Sequence, residues 1–198
     1  MEMHPELIKL KHTLNMEHKD YSTIERGFEV VKASPSFEGT VQMVVIRPEV
    51  NQRKELDEGQ LDVEKGLVGD NWATRGSSQT EDGNAHPGMQ INIMNSRVIR
   101  LVTHDRSEWK MAGDQLFVDL NLSKSNMPPG TRFTVGDATL EVTDIPHTGC
   151  KKFAQRFGTD ALKFISTKEG KEWQLRGINA KVIKSGAVKL GDTISKIT

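Results

Sequence analysis

The amino-acid sequence predicts a mainly β fold, a β-rich barrel with a few short α-helices. About seven or eight short segments alternate apolar and polar residues or are rich in β-branched residues. Turns separate most of these segments, which favours a barrel over a doubly wound sheet with alternating helices. The chain of 198 residues suits one domain, or one domain and an extension, and can bury about 70% of its unfolded surface.

The first 37 residues are predicted to form an N-terminal extension to a domain that spans residues 38–198. The extension is highly charged and only weakly periodic. Its leucines at the spacing of one short helical stripe are Leu7, Leu10 and Leu14. A short apolar run, Phe28-Glu-Val-Val31, predicts a strand.

The domain itself begins with a β-branched segment, residues 39–47, that predicts its first strand. Residues 66–71 contain two glycines and predict a turn that needs positive φ or close backbone approach. Residues 74–88 are almost free of apolar side chains, which is typical of a mobile or ligand-binding loop. Residues 89–94 alternate and predict a half-buried strand, after which Asn95 is placed to cap a helix.

The C-terminal half contains two Gly-Asp pairs between strand-like segments. Gly136-Asp137 joins residues 132–135 to residues 138–142 and predicts a β-hairpin. The same arrangement in residues 188–194 predicts a second hairpin. The aspartates of all four Gly-Asp pairs are interpreted as turn formers, namely Asp70, Asp114, Asp137 and Asp192.

Charge is balanced over the chain but not within it. Lys and Arg number 27 and so do Asp and Glu, so the total charge gives no attraction to nucleic acid or to a membrane. Residues 147–198 contain 11 basic against 4 acidic side chains, which suits an anionic ligand. The N-terminus lacks the apolar core of a signal peptide, and no apolar run approaches the roughly 20 residues that span a bilayer. The sequence therefore predicts a cytoplasmic protein.

Cys150 is the only cysteine, and it joins a strand-like segment to a helix-like segment that begins at Lys151. A single cysteine excludes an intramolecular disulfide and a Cys-rich metal site. Lys151, Lys152 and the start of the helix favour the reactive thiolate form. A free cysteine is often a buried apolar residue, but Cys150 lies between periodic segments and not inside one. We therefore interpret Cys150 as a functional thiol.

His147, three residues before the cysteine, has two interpretations from the residues alone. The imidazole is either an acid or base that tunes the site, or a cap on the preceding strand. A hydrolase with Cys150 as nucleophile and His147 as base is a further hypothesis, but the sequence identifies no third group that would orient the histidine.

The order of the motifs is more specific than any one of them. It begins with Gly39-Thr-Val and Gly66-Leu-Val-Gly-Asp70, and continues with Gln90-Ile-Asn-Ile93 and Ala112-Gly-Asp-Gln-Leu116. It then includes Cys150-Lys-Lys-Phe153, Arg176-Gly-Ile178 and Gly186-Ala-Val188. This order resembles that of the MOSC domain, named for the C-terminal domain of molybdenum cofactor sulfurases, over residues 38–198.

The resemblance implies a barrel of the pyruvate-kinase type and a cleft that contains the family cysteine, here Cys150. It implies that this cysteine ligates molybdenum in the bound molybdenum cofactor (molybdopterin) or carries sulfur as a persulfide. It further implies sulfur transfer or reduction of N-hydroxylated compounds. The residues that would hold the small anionic cofactor are Arg75, Lys151, Lys152, Arg176 and Asn179, and His147 would join Cys150 in catalysis.

The sulfurases proper carry an additional domain that binds pyridoxal phosphate. A partner such as a cysteine desulfurase would therefore supply sulfur to this chain, or an electron-transfer partner would supply electrons. The usual Gly-Asp-Arg-His of the family is here Gly69-Asp-Asn-Trp72, without the cation and the imidazole, and its Gly-Glu-Asn is Gly113-Asp-Gln115. The alternative hypothesis is a non-catalytic module that binds an anion or a partner on the same fold.

Overall fold

The structure, a computed structural model, describes residues 18–77 and 80–197. Its strands are β1 (Glu38–Ile46), β2 (Lys54–Leu56), β3 (Glu58–Asp62), β4 (Gly66–Leu67), β5 (Ile91–Asn95), β6 (Leu116–Asp119), β7 (Arg132–Val135), β8 (Ala138–Val142), β9 (Ile178–Lys184), β10 (Gly186–Lys189) and β11 (Thr193–Lys196). Its α-helices are α1 (Tyr21–Arg26), α2 (Phe28–Lys32), α3 (Trp72–Arg75), α4 (Ser96–Val102), α5 (Lys151–Phe157), α6 (Thr159–Ser166) and α7 (Lys168–Glu172). Two 3₁₀ helices lie at Pro87–Met89 and Arg106–Ala112.

Seven strands close into a barrel, which confirms the predicted mainly β fold. The order around the barrel is β11-β7-β8-β9-β5-β6-β1, and β1 then pairs with β11. Neighbouring strands are antiparallel except β5 and β6, which are parallel. A register shift in β1 between Val41 and Met43 bends this strand. The first residues of β1 therefore pair with β11, whereas its last residues pair with β2.

Successive side chains of β1 point to two different cores. Val44 lies in the cluster that fills the barrel, together with residues such as Phe133 and Leu140. Met43 and Val45 lie in a second cluster, between the outside of the barrel and the helices. Because both faces of β1 are buried, most of this strand is apolar, and each fully buried side chain stabilises the fold by about 1.5–3 kcal/mol.

The segment before β1 is helical, so the strand predicted at residues 28–31 is wrong. Asp20 accepts a hydrogen bond from the backbone N–H of Thr23 and caps α1. Ile24, Phe28 and Val31 recur at helical spacing, and all three are buried in the cluster outside the barrel. A short apolar run fits either element, and packing against the helices decides it here. The stripe predicted at Leu7, Leu10 and Leu14 lies outside the described residues.

The two predicted hairpins have different outcomes. β7 and β8 pair as predicted, with Val135 opposite Ala138 and Gly136 at φ 53°. The second hairpin is wrong, because β10 pairs with β3 while β11 pairs with β1 and β7. The turn between β10 and β11 does form, but its two arms diverge because each arm pairs with other strands. Each helix in the described ranges is too short or too polar to cross a membrane.

Candidate functional site

A buried aspartate, Asp114, brings together residues from three parts of the chain. Its carboxylate accepts two hydrogen bonds from Nη1 of Arg176, at 2.7 and 2.9 Å, and Nε2 of His147 lies 2.9 Å from its Oδ1. Nη2 of Arg176 donates to the carbonyl of Ala112 at 3.0 Å. Asp114 precedes β6, His147 follows β8 and Arg176 precedes β9. The barrel therefore positions all three side chains at the ends of its strands.

The charges of Asp114 and Arg176, together with burial, determine the protonation state of His147. Burial opposes ionisation of Asp114, but the charge of Arg176 and the contact with His147 hold the pKa of its carboxyl below the usual value. Burial, with the charge of Arg176, lowers the pKa of His147 in spite of the attraction of Asp114. The imidazole is therefore neutral at pH 7. Because a carboxylate only accepts, Nε2–H donates to Asp114 and Nδ1 remains as an acceptor.

Gly177 makes this geometry possible. Its φ of 110° belongs to the region that side-chain-bearing residues avoid. A Cβ at this position would clash with the carbonyl oxygen of Ile93 on β5 and would lie 3.2 Å from Cδ2 of His147. Glycine therefore lets the chain enter β9 directly after the Arg176 side chain has turned toward Asp114.

A second buried ion pair, Arg47 with Asp70, lies beside the first. The guanidinium of Arg47 donates to both oxygens of Asp70 at 2.8 Å, and its Nη1 donates to Asn92 at 3.0 Å and to the carbonyl of Gly113 at 2.9 Å. Since Gly113 directly precedes Asp114, the two ion pairs are joined through the backbone. Asp70 also accepts from the backbone N–H of Trp72 at 2.9 Å, at the start of α3.

The interpretation of four aspartates as turn formers is thus wrong for two of them. Asp70 and Asp114 have fully buried side chains that pair with arginines. Asp192 accepts from the backbone N–H of Lys189 in a turn, as predicted, and Asp137 is exposed. One sequence feature could have identified these two buried aspartates: both of their Gly-Asp pairs belong to the ordered series of motifs.

Three further arginines lie around the Arg47–Asp70 pair. Partial burial and the charges of Arg156 and Arg47 lower the pKa of Arg53. Partial burial and the charge of Arg47 lower the pKa of Arg75, against the attraction of Asp70. Of these cations the sequence predicted only Arg75. The others are scattered along the chain, so no local pattern marks them. We call Arg47, Arg53, Arg75 and Arg156 the arginine cluster.

Cys150 occupies the N-cap position of α5, and its side chain is exposed. The carbonyl of Cys150 accepts from the backbone N–H groups of Phe153 and Ala154, at 2.9 and 3.1 Å. The thiol caps nothing, and it makes no hydrogen bond with any residue of the described ranges. Lys151 and Lys152 follow on the exposed side of α5.

Helix α5 links the thiol to both groups of charges. The ring of Phe153 lies under the guanidinium of Arg176, with 5.3 Å from Cζ to the ring centroid. Arg156, in the next turn, donates to the carbonyl of Met111. The structure thus brings His147 and Arg176 together at Asp114. Arg75 lies near the Arg47–Asp70 pair instead, and Cys150 lies at the start of α5. The catalytic and cofactor-binding roles of these residues stay predictions.

Asn179 has a supporting position. It is buried on β9, and its amide accepts from Asn92 and donates to the carbonyl of Ile145 at 3.0 Å. Both ends of the amide are therefore engaged within the protein. A role of Asn179 in cofactor binding would be to hold the chain around His147 in place.

The structure also supplies the orienting group that the hydrolase hypothesis lacked, since Asp114 binds the imidazole of His147. However, the thiol of Cys150 makes no hydrogen bond to His147. The side chain of His147 is 13% exposed and faces inward to a fully buried partner. The arrangement therefore provides an oriented histidine near an exposed thiol, without the hydrogen-bonded nucleophile and base of a cysteine hydrolase.

Three buried polar atoms in this region have no hydrogen-bond partner among the residues that the structure describes. They are Nε of Arg53, Nε of Arg176 and Oδ1 of Asn71. Such atoms are rare in folded proteins, because each costs about 1–3 kcal/mol. Two are donors and one is an acceptor, so a ligand with both acceptors and donors would suit them.

Comparisons with solved structures support the fold. The YUAD protein from Bacillus subtilis is 17% identical, with a TM-score of 0.60 over 79% of this chain and 94% of that chain. The YiiM proteins from Geobacillus stearothermophilus and Escherichia coli are 14% and 19% identical, each with a TM-score of 0.51. They cover 81% and 80% of this chain, and 73% and 70% of their own chains. A comparison with curated proteins finds no match.

The motif order and the barrel agree with the family that the sequence resembles. The model of the MOSC domain matches residues 82–195, which is more than half of the chain and includes Asp114, His147, Cys150 and Arg176. The chain therefore belongs to the MOSC domain family.

Proposed function

We propose that this protein binds the molybdenum cofactor beside Cys150, and that the cysteine either ligates molybdenum or carries a persulfide. The observation that carries the proposal is the exposed thiol on the helix that also holds Phe153 against Arg176 and contributes Arg156 to the arginine cluster. A thiolate is a soft ligand that suits such a metal, and metal binding keeps it deprotonated.

The residues present fit the cofactor in three ways. Its phosphate needs cations, which Arg53, Arg75, Lys151 and Lys152 would supply. Its pterin ring has donors and acceptors, which would satisfy the unpartnered atoms of Arg53, Arg176 and Asn71. The described residues contain no group of three His, Cys, Asp or Glu side chains that could hold a metal ion. Cys150 would therefore be a single protein ligand, and the cofactor would provide the rest.

The site still has positive charge near Asn71 and Trp72, although the arginine and histidine usual in the family are absent there. Asn71 and Trp72 occupy those two positions, but Arg75 follows Asn71 by about one helical turn and interacts with Asp70. Arg53 approaches the same pair from the loop before β2. These two arginines would replace the charge that is absent at Asn71.

The bound cofactor would supply a centre for redox or sulfur-transfer chemistry. The chain's own part is to orient a neutral imidazole at His147, to hold anionic groups at the arginine cluster, and to present a thiol. Reduction of N-hydroxylated compounds would need an electron-transfer partner. Sulfur transfer would need a sulfur donor such as a cysteine desulfurase.

The test is to purify the full chain from a host that makes the cofactor, and to measure molybdenum, pterin and cyanide-labile sulfur. If Cys150 ligates molybdenum, Cys150→Ser will lose most of the metal. If Cys150 carries a persulfide, the same variant will keep metal and pterin but lose the labile sulfur. Cys150→Ala separates loss of the soft ligand from any weak ligation by serine.

A wild-type protein with no molybdenum, no pterin and no labile sulfur would refute the proposal. The absence of the family's arginine and histidine at Asn71 and Trp72 favours one alternative, a non-catalytic module that binds an anion or a partner. Pyrophosphate that stabilises a protein lacking all three components would support that alternative.

A further inference from the structure

His147 lines a cavity of about 330 Å³, and Asp114 is not among the residues that line this cavity. Residues 147–149, the end of α6, part of α7 and the segment before β9 line it, with Ile165, Lys171, Gln174 and Arg176 among the lining side chains. We call it the His147 cavity. Its volume is at the lower end of the range of about 300–1,000 Å³ that small-molecule sites occupy.

His147, which lines this cavity, has an unused hydrogen-bond acceptor. Nε2 of His147 is bound to Asp114, as described above. Nδ1 makes no hydrogen bond within the described ranges, and it is not among the buried polar atoms sealed from solvent. Because the lowered pKa leaves the ring neutral, Nδ1 accepts hydrogen bonds at pH 7. A ligand in the cavity would therefore offer it a donor.

The charge of the lining is positive. Lys171 is exposed and has no ion-pair partner among the described residues, and Arg176 is 7% exposed with an unpartnered Nε. Lys124, also at the rim, pairs with Glu172 at 3.2 Å. Ile165 adds an apolar side chain to the lining. This combination suits a small organic anion with a short apolar body.

The turn that forms one wall is held in a strained conformation. Gln174 has a φ of 47°, one of two positive values among the described residues other than glycine. Its side-chain amide donates to the carbonyl of Leu122 at 2.6 Å, and its own carbonyl accepts from the backbone N–H of Gly177 at 2.7 Å. Strain of this kind persists where the surrounding structure fixes it, often at ligand sites. Here it places the Arg176 side chain in the cavity wall.

We propose that the His147 cavity binds a small organic anion that carries a hydrogen-bond donor, and that it is the substrate subsite of this protein. The role as a substrate subsite rests on the proposed function, because Gly149 in the cavity wall directly precedes Cys150. The anionic group would lie toward Lys171 and the donor at Nδ1 of His147.

The test uses 4-hydroxybenzoate as a probe, with benzoate lacking the donor and 4-hydroxybenzamide lacking the charge. Titration calorimetry on the full chain without cofactor gives the affinities, and amide chemical shifts locate the binding site. We expect 4-hydroxybenzoate to bind more tightly than either control, with shifts at residues 147–149 and 174–177. No binding at millimolar concentration, or shifts elsewhere, would overturn the proposal.

Variants separate the two polar contacts. His147→Phe should weaken 4-hydroxybenzoate about 5- to 30-fold and leave benzoate nearly unchanged, since only the former would use Nδ1. Lys171→Gln should weaken both carboxylates up to about 5-fold but not the amide. Ser166→Phe, which fills the cavity from the exposed end of α6, should abolish binding of all three and does not touch Asp114. Full binding to Ser166→Phe would contradict the assigned location.

The outcome is independent of the cofactor measurement. Probe binding by a protein that never contains molybdenum, pterin or labile sulfur would retain the cavity as a ligand site and refute its role beside a cofactor. A protein that holds the cofactor but binds no probe would refute the cavity proposal alone.

Discussion

Asp114 and Arg176 form an ion pair that is closed to solvent, with the carboxylate fully buried and both of its oxygens within 2.9 Å of one guanidinium nitrogen. A buried pair of this kind is costly to break, because removal of one partner leaves the other charge uncompensated. Its position beneath His147 also ties the stability of the barrel to the geometry of the candidate site.

The pair should therefore show strong energetic coupling. We expect Asp114→Ala to lower the free energy of unfolding by about 3–5 kcal/mol, and Asp114→Ala with Arg176→Met to recover part of that loss. Urea unfolding of the two single variants and the double variant measures the coupling. Arg132→Ala, which breaks an exposed pair with Glu141, is the control and should have a small effect. Additive losses at Asp114 and Arg176 would contradict a coupled pair.

Acid should destabilise the protein through His147. An unfolded histidine binds its proton near pH 6.5, whereas the folded pKa of His147 is lowered. Between these two values the unfolded chain holds a proton that the folded chain lacks, so stability falls as pH drops below about 6.5. Asp114 also has a lowered pKa, and its contribution is lost at lower pH, below the unfolded value near 3.9.

Urea midpoints between pH 7.5 and 5.0 check this expectation. His147→Gln should have a flatter pH profile than the wild type, because glutamine does not titrate. Thr148→Ser, at the exposed neighbour of His147, changes no titrating group and should keep the slope of the wild type. Equal slopes for the wild type and His147→Gln would show that His147 does not cause the loss of stability in acid.

Gly177 should tolerate no side chain. Gly177→Ala combines positive φ with a clash against the carbonyl of Ile93, so we expect a loss of at least about 2 kcal/mol. Gly130→Ala is a matched control, since Gly130 has a φ of 86° with no atom within 4 Å of an added Cβ. Gly130→Ala should lose only the stability that positive φ costs a residue with a side chain, about 1–2 kcal/mol. Thermal and urea unfolding compare the two, and equal losses would exclude the clash as a cause.

The arginine cluster should destabilise the ligand-free protein and should bind anions. Like charges around Arg47 repel one another, so Arg75→Gln should stabilise the ligand-free protein by about a few tenths of a kcal/mol at low salt, and less at high salt. The same variant should bind pyrophosphate more weakly. Thermal unfolding at 50 and 500 mM salt, with and without pyrophosphate, measures both effects. Arg26→Gln, at an exposed residue of α1, should change neither, and an unchanged pyrophosphate response in Arg75→Gln would argue against an anion site there.

The sequence predicted the features that have a local pattern. Local patterns located β5 and the β7–β8 hairpin, because each pattern is contained within a few residues. The predicted half-burial of β5 is wrong, since all of its residues are buried. Phe28 was misassigned because a short apolar run fits a strand or a helix until its packing is known. The divergence of β10 from β11 depends on β3, which is remote in sequence.

The candidate site was predicted only where chemistry is visible in single residues. Cys150, Lys151 and Lys152 could be recognised from their residue types alone. The motif order adds Arg176. Asp70 and Asp114 look like ordinary turn residues, and their partners are 23 and 62 positions away. Arg53 and Arg156 follow no periodicity. Their convergence is a property of the closed barrel.

Closure of the barrel by β1 and β11 has a consequence for biosynthesis. The strand that pairs with the start of β1, β11, leaves the ribosome after both β1 and β7, so a nascent chain exposes the unpaired edges of these two strands until β11 emerges. Exposed strand edges are templates for aggregation, and pairing between strands that are so far apart in sequence is slow. We expect chains that end at residue 192 to collect in the insoluble fraction of a lysate and to depend on chaperones. Recovery of such chains as folded soluble protein would show that closure by β11 is dispensable.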